Sequence, residues 1–169
     1  MSTNILIVGV GGQGALLTSR ILGEVLLSQG FDVKVSEVHG MSQRGGAVVT
    51  YVKYGENVAS PIIQEGEADY ILAFEQLEAL RWLPFLKPGG TLIVNTQKLN
   101  PMPVITGMQE YPADVLEKLE NSNTQMIAFD ALTCSIDAGS TKAVNVVLLG
   151  ALAKHMDFSA TAWESAIEK

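Results

Sequence analysis

The stretch from Asn4 to Val10 is a run of apolar side chains that ends on glycine and passes directly into Gly9-Val10-Gly11-Gly12-Gln13-Gly14. A strand that does not alternate between apolar and polar residues is buried on both faces, and that burial is found where helices cover both sides of a parallel sheet. The helix that must follow is visible at Ala15 to Gln29. There Leu16, Leu17, Ile21, Leu22, Val25 and Leu26 cover most of the circumference and leave Arg20, Glu24 and Ser28 as a narrow polar stripe. Gly30 ends the helix as a C-terminal glycine does.

The alternation continues. Phe31 to Val38 reads as a second strand, with Val33 and Val35 alternating against Lys34 and Ser36, and Ala47 to Tyr54 as a third, rich in β-branched and aromatic residues. Asp69 to Phe74 is a strand, and a helix from Gln76 to Leu86 stops at the turn signal Lys87-Pro88-Gly89-Gly90. Thr91 to Thr96 is the next strand. Asn100 to Pro112 holds three prolines and reads as loop with at most a short edge strand. Ala113 to Asn121 is helical and Gln125 to Asp130 is strand. Ser140 caps a long apolar helix reaching His155, and a last helix starts near Ser159. Strands alternating with helices predict one domain over 1–169: a three-layer α/β/α sandwich with a mostly parallel central sheet and a Rossmann-like start.

Composition narrows the function. The chain has 169 residues, 47% hydrophobic and only 17% charged, with a net charge of −7 and no cluster among its eleven Lys and Arg. Nucleic-acid binding needs a basic patch, so that class is set aside. Low charge with a mean hydropathy of +0.24 fits either a well-buried core or a surface reserved for a partner. No apolar stretch approaches the roughly 20 residues that span a bilayer. Met1-Ser2-Thr3-Asn4 shows neither a basic region nor a cleavage site, so a soluble, cytoplasmic protein is expected. The single cysteine, Cys134, cannot hold an iron–sulfur cluster, which typically needs about four thiolates; it reads as a small core hydrophobe. His39 and His155 are too far apart in sequence to suggest a metal site.

The glycine segment has the spacing G-x-G-x-x-G, which lets backbone N–H groups at a helix N-terminus approach an anion. Glu37, near the end of the second strand, stands where a ribose-binding carboxylate belongs. On these residues alone, a stand-alone NAD(P)- or FAD-binding oxidoreductase and a merely structural tight turn both remain open. The segment after the second strand is more distinctive: Ser42-Gln43-Arg44-Gly45-Gly46 offers free backbone, a guanidinium fork and a hydroxyl to a phosphate or carboxylate, or is a surface turn with an exposed arginine. No later segment supplies an obvious acid or base for hydride transfer.

Together, Ile-Val-Gly-Val-Gly-Gly-Gln-Gly (7–14) and Glu-Val-His-Gly-Met-Ser-Gln-Arg-Gly-Gly (37–46) resemble the gamma subunit or domain of 2-oxoacid:ferredoxin oxidoreductases. The wording of 39–46 is similar to the indolepyruvate:ferredoxin oxidoreductase beta subunit. Ala68-Asp69, Ala73-Phe74-Glu75, Leu86-Lys87-Pro88-Gly89-Gly90, Val94-Asn95, Asn145 and Leu149-Gly150 extend the resemblance, in order, over nearly the whole chain.

The resemblance implies a complex that oxidatively decarboxylates a 2-oxo acid to an acyl-CoA while reducing ferredoxin. Thiamine diphosphate with its magnesium, and the 4Fe-4S clusters, are then expected in partner subunits, and no cofactor on this chain alone. Coenzyme A is a co-substrate that this chain would help to enclose. No catalytic residue is assigned. The ligand-facing residues carried over are Gly9, Gly11, Gly12, Gln13 and Gly14 in one loop and Ser42, Gln43, Arg44, Gly45 and Gly46 in the other, with Glu75 and Asn95 at strand ends on the same rim. Asn145, polar in an apolar helix, must find a hydrogen bond; it reads as a core amide tying a loop in preference to a ligand contact. The expected partners are the thiamine- and cluster-bearing subunits and, through them, ferredoxin; a homodimer is expected of the isolated chain. Family members usually continue past the helical pattern at Ala166 to Lys169, which leaves room for a trimmed end.

Overall fold

The computed structural model describes residues 1–39 and 46–169. Its elements are β1 (Ser2–Val10), α1 (Ala15–Ser28), β2 (Asp32–His39), β3 (Ala47–Gly55), β4 (Ala68–Ala73), α2 (Gln76–Trp82), β5 (Leu86–Asn95), α3 (Met102–Ile105), α4 (Val115–Glu120), β6 (Gln125–Phe129), α5 (Ala131–Asp137), α6 (Val144–Ala153) and α7 (Ala160–Glu168). The strands form one six-stranded sheet in the order β2-β3-β1-β4-β5-β6. β3 runs antiparallel to both of its neighbours, and the pairs β1–β4, β4–β5 and β5–β6 are parallel. The mostly parallel sheet expected from the sequence is therefore present, with one reversed strand inside it.

Strand alternation sorts the core into two layers. On one face Ile5, Ile7, Leu72, Phe74 and Ile93 pack against α1, α6 and α7 through Leu22, Leu26, Leu149, Leu152 and Trp163. On the other face Leu6, Val8, Ile71, Leu92 and Val94 pack against α2 and α4 through Ala79, Val115 and Leu119. β1 feeds both layers, so it reads as continuously apolar.

Several local expectations change. The helix α2 stops at Trp82 and passes through a 3-10 turn at Leu83–Phe85. Lys87-Pro88-Gly89-Gly90 then lies inside β5: Leu86 pairs with Ala68 and Thr91 with Tyr70, so the turn residues form an irregularity that the ladder absorbs. The proline-rich stretch holds the short helix α3 and no strand. α6 begins at Val144, and its N-cap is Ala143 rather than Ser140. α5 has no counterpart in the sequence reading. It carries Cys134 exposed rather than in the core. Val35 and the first-turn residues Leu16 and Leu17 are also exposed.

Candidate functional site

Every forward strand ends on the same rim of the sheet. β1 sends its crossover α1 to β2 on one side, while β4 lies on the other, which makes the β1–β4 junction the switch point where open α/β sheets place their crevices. The glycine turn occupies this junction. Gln13 N–H donates to the Val10 carbonyl at 3.2 Å, closing the turn. Gln13 Oε1 accepts from Val10 N–H at 2.7 Å, and its Nε2 donates to the Phe74 carbonyl at 3.1 Å. The glutamine side chain thus bolts the turn to the end of β4. Gly9 is required by close approach: a Cβ there would lie 2.9 Å from Phe74 Cβ. Gly14 has φ of 89° and serves as the α1 N-cap without any side-chain cap, so the first amides of that helix have no side-chain acceptor among the described residues.

Asn95 and Glu75, the other two residues expected on this rim, are 0% and 1% exposed. Asn95 Nδ2 donates to the Phe74 carbonyl (3.2 Å) and Gln97 Oε1 (3.3 Å), and Oδ1 accepts from Ala131 N–H at 3.1 Å. Glu75 Oε2 caps α2 by accepting from Glu78 N–H at 2.9 Å. Glu75 Oε1 accepts from Leu99 N–H at 3.3 Å and from the Tyr111 hydroxyl. Both side chains have their polar atoms engaged by the fold, and both hold the segment 97–111 against the rim. Burial, with the Glu75 carboxylate beside it, raises the Tyr111 hydroxyl far above the ordinary phenol range, so it is a donor at any working pH.

Of the second loop, Ser42, Gln43, Arg44 and Gly45 lie outside the described residues. Gly46 is described, and its carbonyl accepts from Gly11 N–H at 2.9 Å. The two glycine-bearing segments therefore meet.

Three clefts of this rim are described, one of them, of about 400 Å³, on the flank of the turn that faces Leu16, Val48 and Thr50. Another, of about 510 Å³, lies between the turn 11–14 and the start of α6, with Phe74, Leu99 and Leu132 on its apolar side and Lys142 and Asn145 on its polar side. The third, of about 450 Å³, lies on the opposite side of Leu99 and is bounded by Gly46, Glu75, Glu78, Arg81 and the proline-rich strap. Asn145 is 6% exposed and makes no side-chain hydrogen bond among the described residues, so it does not tie a loop as expected. Thr141 and Lys142, which also line the cleft of about 510 Å³, were absent from the residues the sequence singled out. The only signal was a polar Ser-Thr-Lys segment ahead of an apolar helix.

The dinucleotide alternative loses its geometry here. In the dinucleotide fold the strand bearing the ribose carboxylate sits beside β1. Here β3 intervenes, which moves Glu37 out by one further strand spacing of about 4.8 Å. Glu37 also accepts from Ser19 Oγ at 3.1 Å.

With this sheet order and this rim, the chain belongs to the pyruvate ferredoxin/flavodoxin oxidoreductase family, whose model matches residues 4–169. Within that family it is 44% identical over 164 residues to indolepyruvate oxidoreductase subunit IorB of Pyrococcus horikoshii, spanning 94% of this chain and 80% of the relative. The solved gamma subunit of the keto/oxoacid ferredoxin oxidoreductase of Geobacter sulfurreducens superposes with a TM-score of 0.69 at 27% identity, over 98% of this chain and 84% of that one. The 2-oxoglutarate:ferredoxin oxidoreductase of Magnetococcus marinus, solved with 2-oxoglutarate, coenzyme A and succinyl-CoA bound, shares the fold with a TM-score of 0.72 at 17% identity. This chain corresponds to 98% of its own length and 26% of that larger one.

Proposed function

We propose that this chain is the non-cluster subunit of a thiamine-diphosphate-dependent 2-oxoacid:ferredoxin oxidoreductase. The complex would convert a 2-oxo acid such as indolepyruvate to its acyl-CoA, with an iron–sulfur protein as electron acceptor. The observation that carries the reading is the 44% identity to an indolepyruvate oxidoreductase subunit along almost the entire chain. Iron–sulfur clusters do not fit the residues present: one thiol, Cys134, stands exposed where about four would be needed. No group of three or more His, Cys, Asp or Glu suited to a metal occurs among the described residues. No carbanion or electron-transfer step is therefore assigned here; those groups belong to partner subunits.

The part left to this chain is to shape and close a ligand cleft on the shared rim. The turn of Gly9, Gly11, Gly12 and Gly14 brings the uncapped start of α1 to the rim, with the Gly11 N–H held by the Gly46 carbonyl, and Ser42, Gln43, Arg44, Gly45 and Gly46 are the second ligand loop of the reading. Gln13, Glu75 and Asn95 hold these in place. Coenzyme A is the co-substrate this rim suits, because uncapped helix amides favour phosphate. The strap's exposed Met102, Ile105 and Met108 offer apolar area for partner contact, and the isolated chain is expected to pair with itself when the partner is absent. The same reading places the complex in the cytoplasm. No helix among the described residues is long and apolar enough to cross a membrane.

The test is purification of the untagged protein from its native source. Recovery with a thiamine-dependent, cysteine-rich chain, and ferredoxin reduction that needs both 2-oxo acid and coenzyme A, support the reading. Recovery alone with a bound nicotinamide or flavin overturns it.

A further inference from the structure

We infer that the cleft between α2 and the proline-rich strap is a socket for a partner protein, which inserts a lysine or arginine beside Glu78 while the apolar residues flanking it cover the strap. The inference takes from the functional reading only that the chain works in a complex. The socket is argued from its own residues.

Glu75 and Glu78 both line this cleft, and the fold treats them differently. Glu75 has both oxygens engaged, Oε2 by Glu78 N–H and Oε1 by Leu99 N–H and the Tyr111 hydroxyl. Glu78 is 4% exposed, yet its Oε2 has no hydrogen-bond partner among the described residues. Its Oε1 faces Arg81 Nε at 3.5 Å, but that arginine side chain is 55% exposed, and so open a pair contributes little. Trp82 Nε1 approaches the carboxyl without completing a hydrogen bond, and is itself unpartnered among the described residues. A buried carboxylate with an idle oxygen costs the free chain stability, and a donor brought in from outside recovers that cost.

The rest of the cleft selects the donor. Glu75, Glu78 and Glu110 line it against one guanidinium, that of Arg81, so the local charge favours a cation. Leu99, Met102 and Val104 give apolar wall for the methylene stem of a lysine or arginine, and about 450 Å³ holds such a side chain with room for its neighbours.

The surrounding surface selects a protein over a small amine. Met102 lines the cleft and is also 56% exposed, and Ile105 and Met108 stand exposed on the same strap. An amine in the cleft would leave Ile105 and Met108 in water, whereas a chain entering with a basic residue covers them with what flanks it. A charge desolvated at the centre, ringed by apolar contacts that exclude water, is the pattern of an interface hot spot.

The experiment measures the affinity of the full chain for the protein with which it co-purifies, by biolayer interferometry. Glu78→Gln should weaken association by about tenfold or more. The substitution relieves a buried charge, so the variant should fold, and circular dichroism matching the parent checks this. Glu117→Gln, an equal charge change at an exposed position of α4, should leave the affinity unchanged. Amide exchange over 98–110 should slow severalfold when the complex forms.

Parental affinity of Glu78→Gln overturns the proposal, as does a strap whose exchange is the same free and bound. n-Butylamine and n-butylguanidinium probe for a small-cation site: millimolar binding to the isolated chain that Glu78→Gln abolishes, with partner affinity untouched, also refutes the socket. So does an Arg44→Ala background in which Glu78→Gln no longer weakens association, since the cation would then be the chain's own. A partner that binds through Glu78 but uses no thiamine diphosphate leaves the socket standing and overturns the functional reading. A thiamine-dependent partner indifferent to Glu78 does the reverse, and a parent chain that binds no protein removes both.

Discussion

Gln13 and Phe74 are joined through a single carbonyl: the glutamine Nε2 donates to the Phe74 oxygen at 3.1 Å, and Asn95 Nδ2 shares that oxygen from the far side at 3.2 Å. One acceptor at the end of β4 thus fixes the turn after β1 and the end of β5 together. Gln13→Leu should cost about 1–3 kcal/mol, because it strands the Val10 amide and half-strands the carbonyl. That corresponds to roughly 2–4 °C in melting temperature per kcal/mol for a chain of this size. Urea denaturation reads the loss. An unchanged midpoint would show that water replaces both contacts at no cost.

Two glycines of the same helix should respond with opposite signs. Gly14 holds φ at 89°, and a Cβ there would stand 3.1 Å from Asn145 Nδ2, so Gly14→Ala should destabilise by about 1–2 kcal/mol. Gly23 lies mid-helix with open space where its Cβ would be, so Gly23→Ala should stabilise by about 0.5–1 kcal/mol. Thermal melts of the pair compare them directly, and equal signs would refute the local geometry.

The strap from Lys98 to Glu110 is anchored at both ends by Glu75 Oε1, through Leu99 N–H and the Tyr111 hydroxyl. Tyr111→Phe removes one anchor and leaves the ring. Amide exchange across 98–110 should quicken severalfold while α1 and β1 keep their protection. Uniform acceleration over the whole chain would mean that the tyrosine supports global stability instead.

Glu78 sets a pH dependence. Burial holds its carboxyl above the ordinary carboxylate range, against the pull of Arg81, whose Nε lies 3.5 Å away, and with the Glu75 charge adding to the rise. A carboxyl raised in the folded state favours folding below its unfolded pKa of about 4.3, and this advantage is lost as pH rises through the folded value. Glu78→Gln should therefore raise the urea midpoint at neutral pH, with the gain disappearing near about pH 4. A gain of the same size at both pH values would assign the effect to packing.

The parts of the fold that were legible are those where burial leaves an uninterrupted mark. β1 feeds two core layers, and α1 turns Leu22, Val25 and Leu26 inward, so both are visible in sequence. α5 was not, because in seven residues it buries only Ala131 and Ser135, and small side chains leave no apolar stripe. Lys87 to Gly90 misled for a different reason: a strong local turn signal was overridden by the pairing of Leu86 with Ala68. At the site, the glycine turn announced itself through conformations that only glycine adopts cheaply. Glu75 and Asn95 were visible as polar residues at strand ends, but their bracing role depends on partners between 21 and 36 positions away. Lys142 was invisible, since an exposed lysine becomes informative only once the fold sets it on a cleft wall.

Cys134 stands exposed on α5, two residues along from Leu132, which lines the cleft beside the glycine turn. With a single thiol in 169 residues, the protein carries its own attachment point for a maleimide dye, and a fluorophore placed there can report arrivals at that cleft without any engineered cysteine.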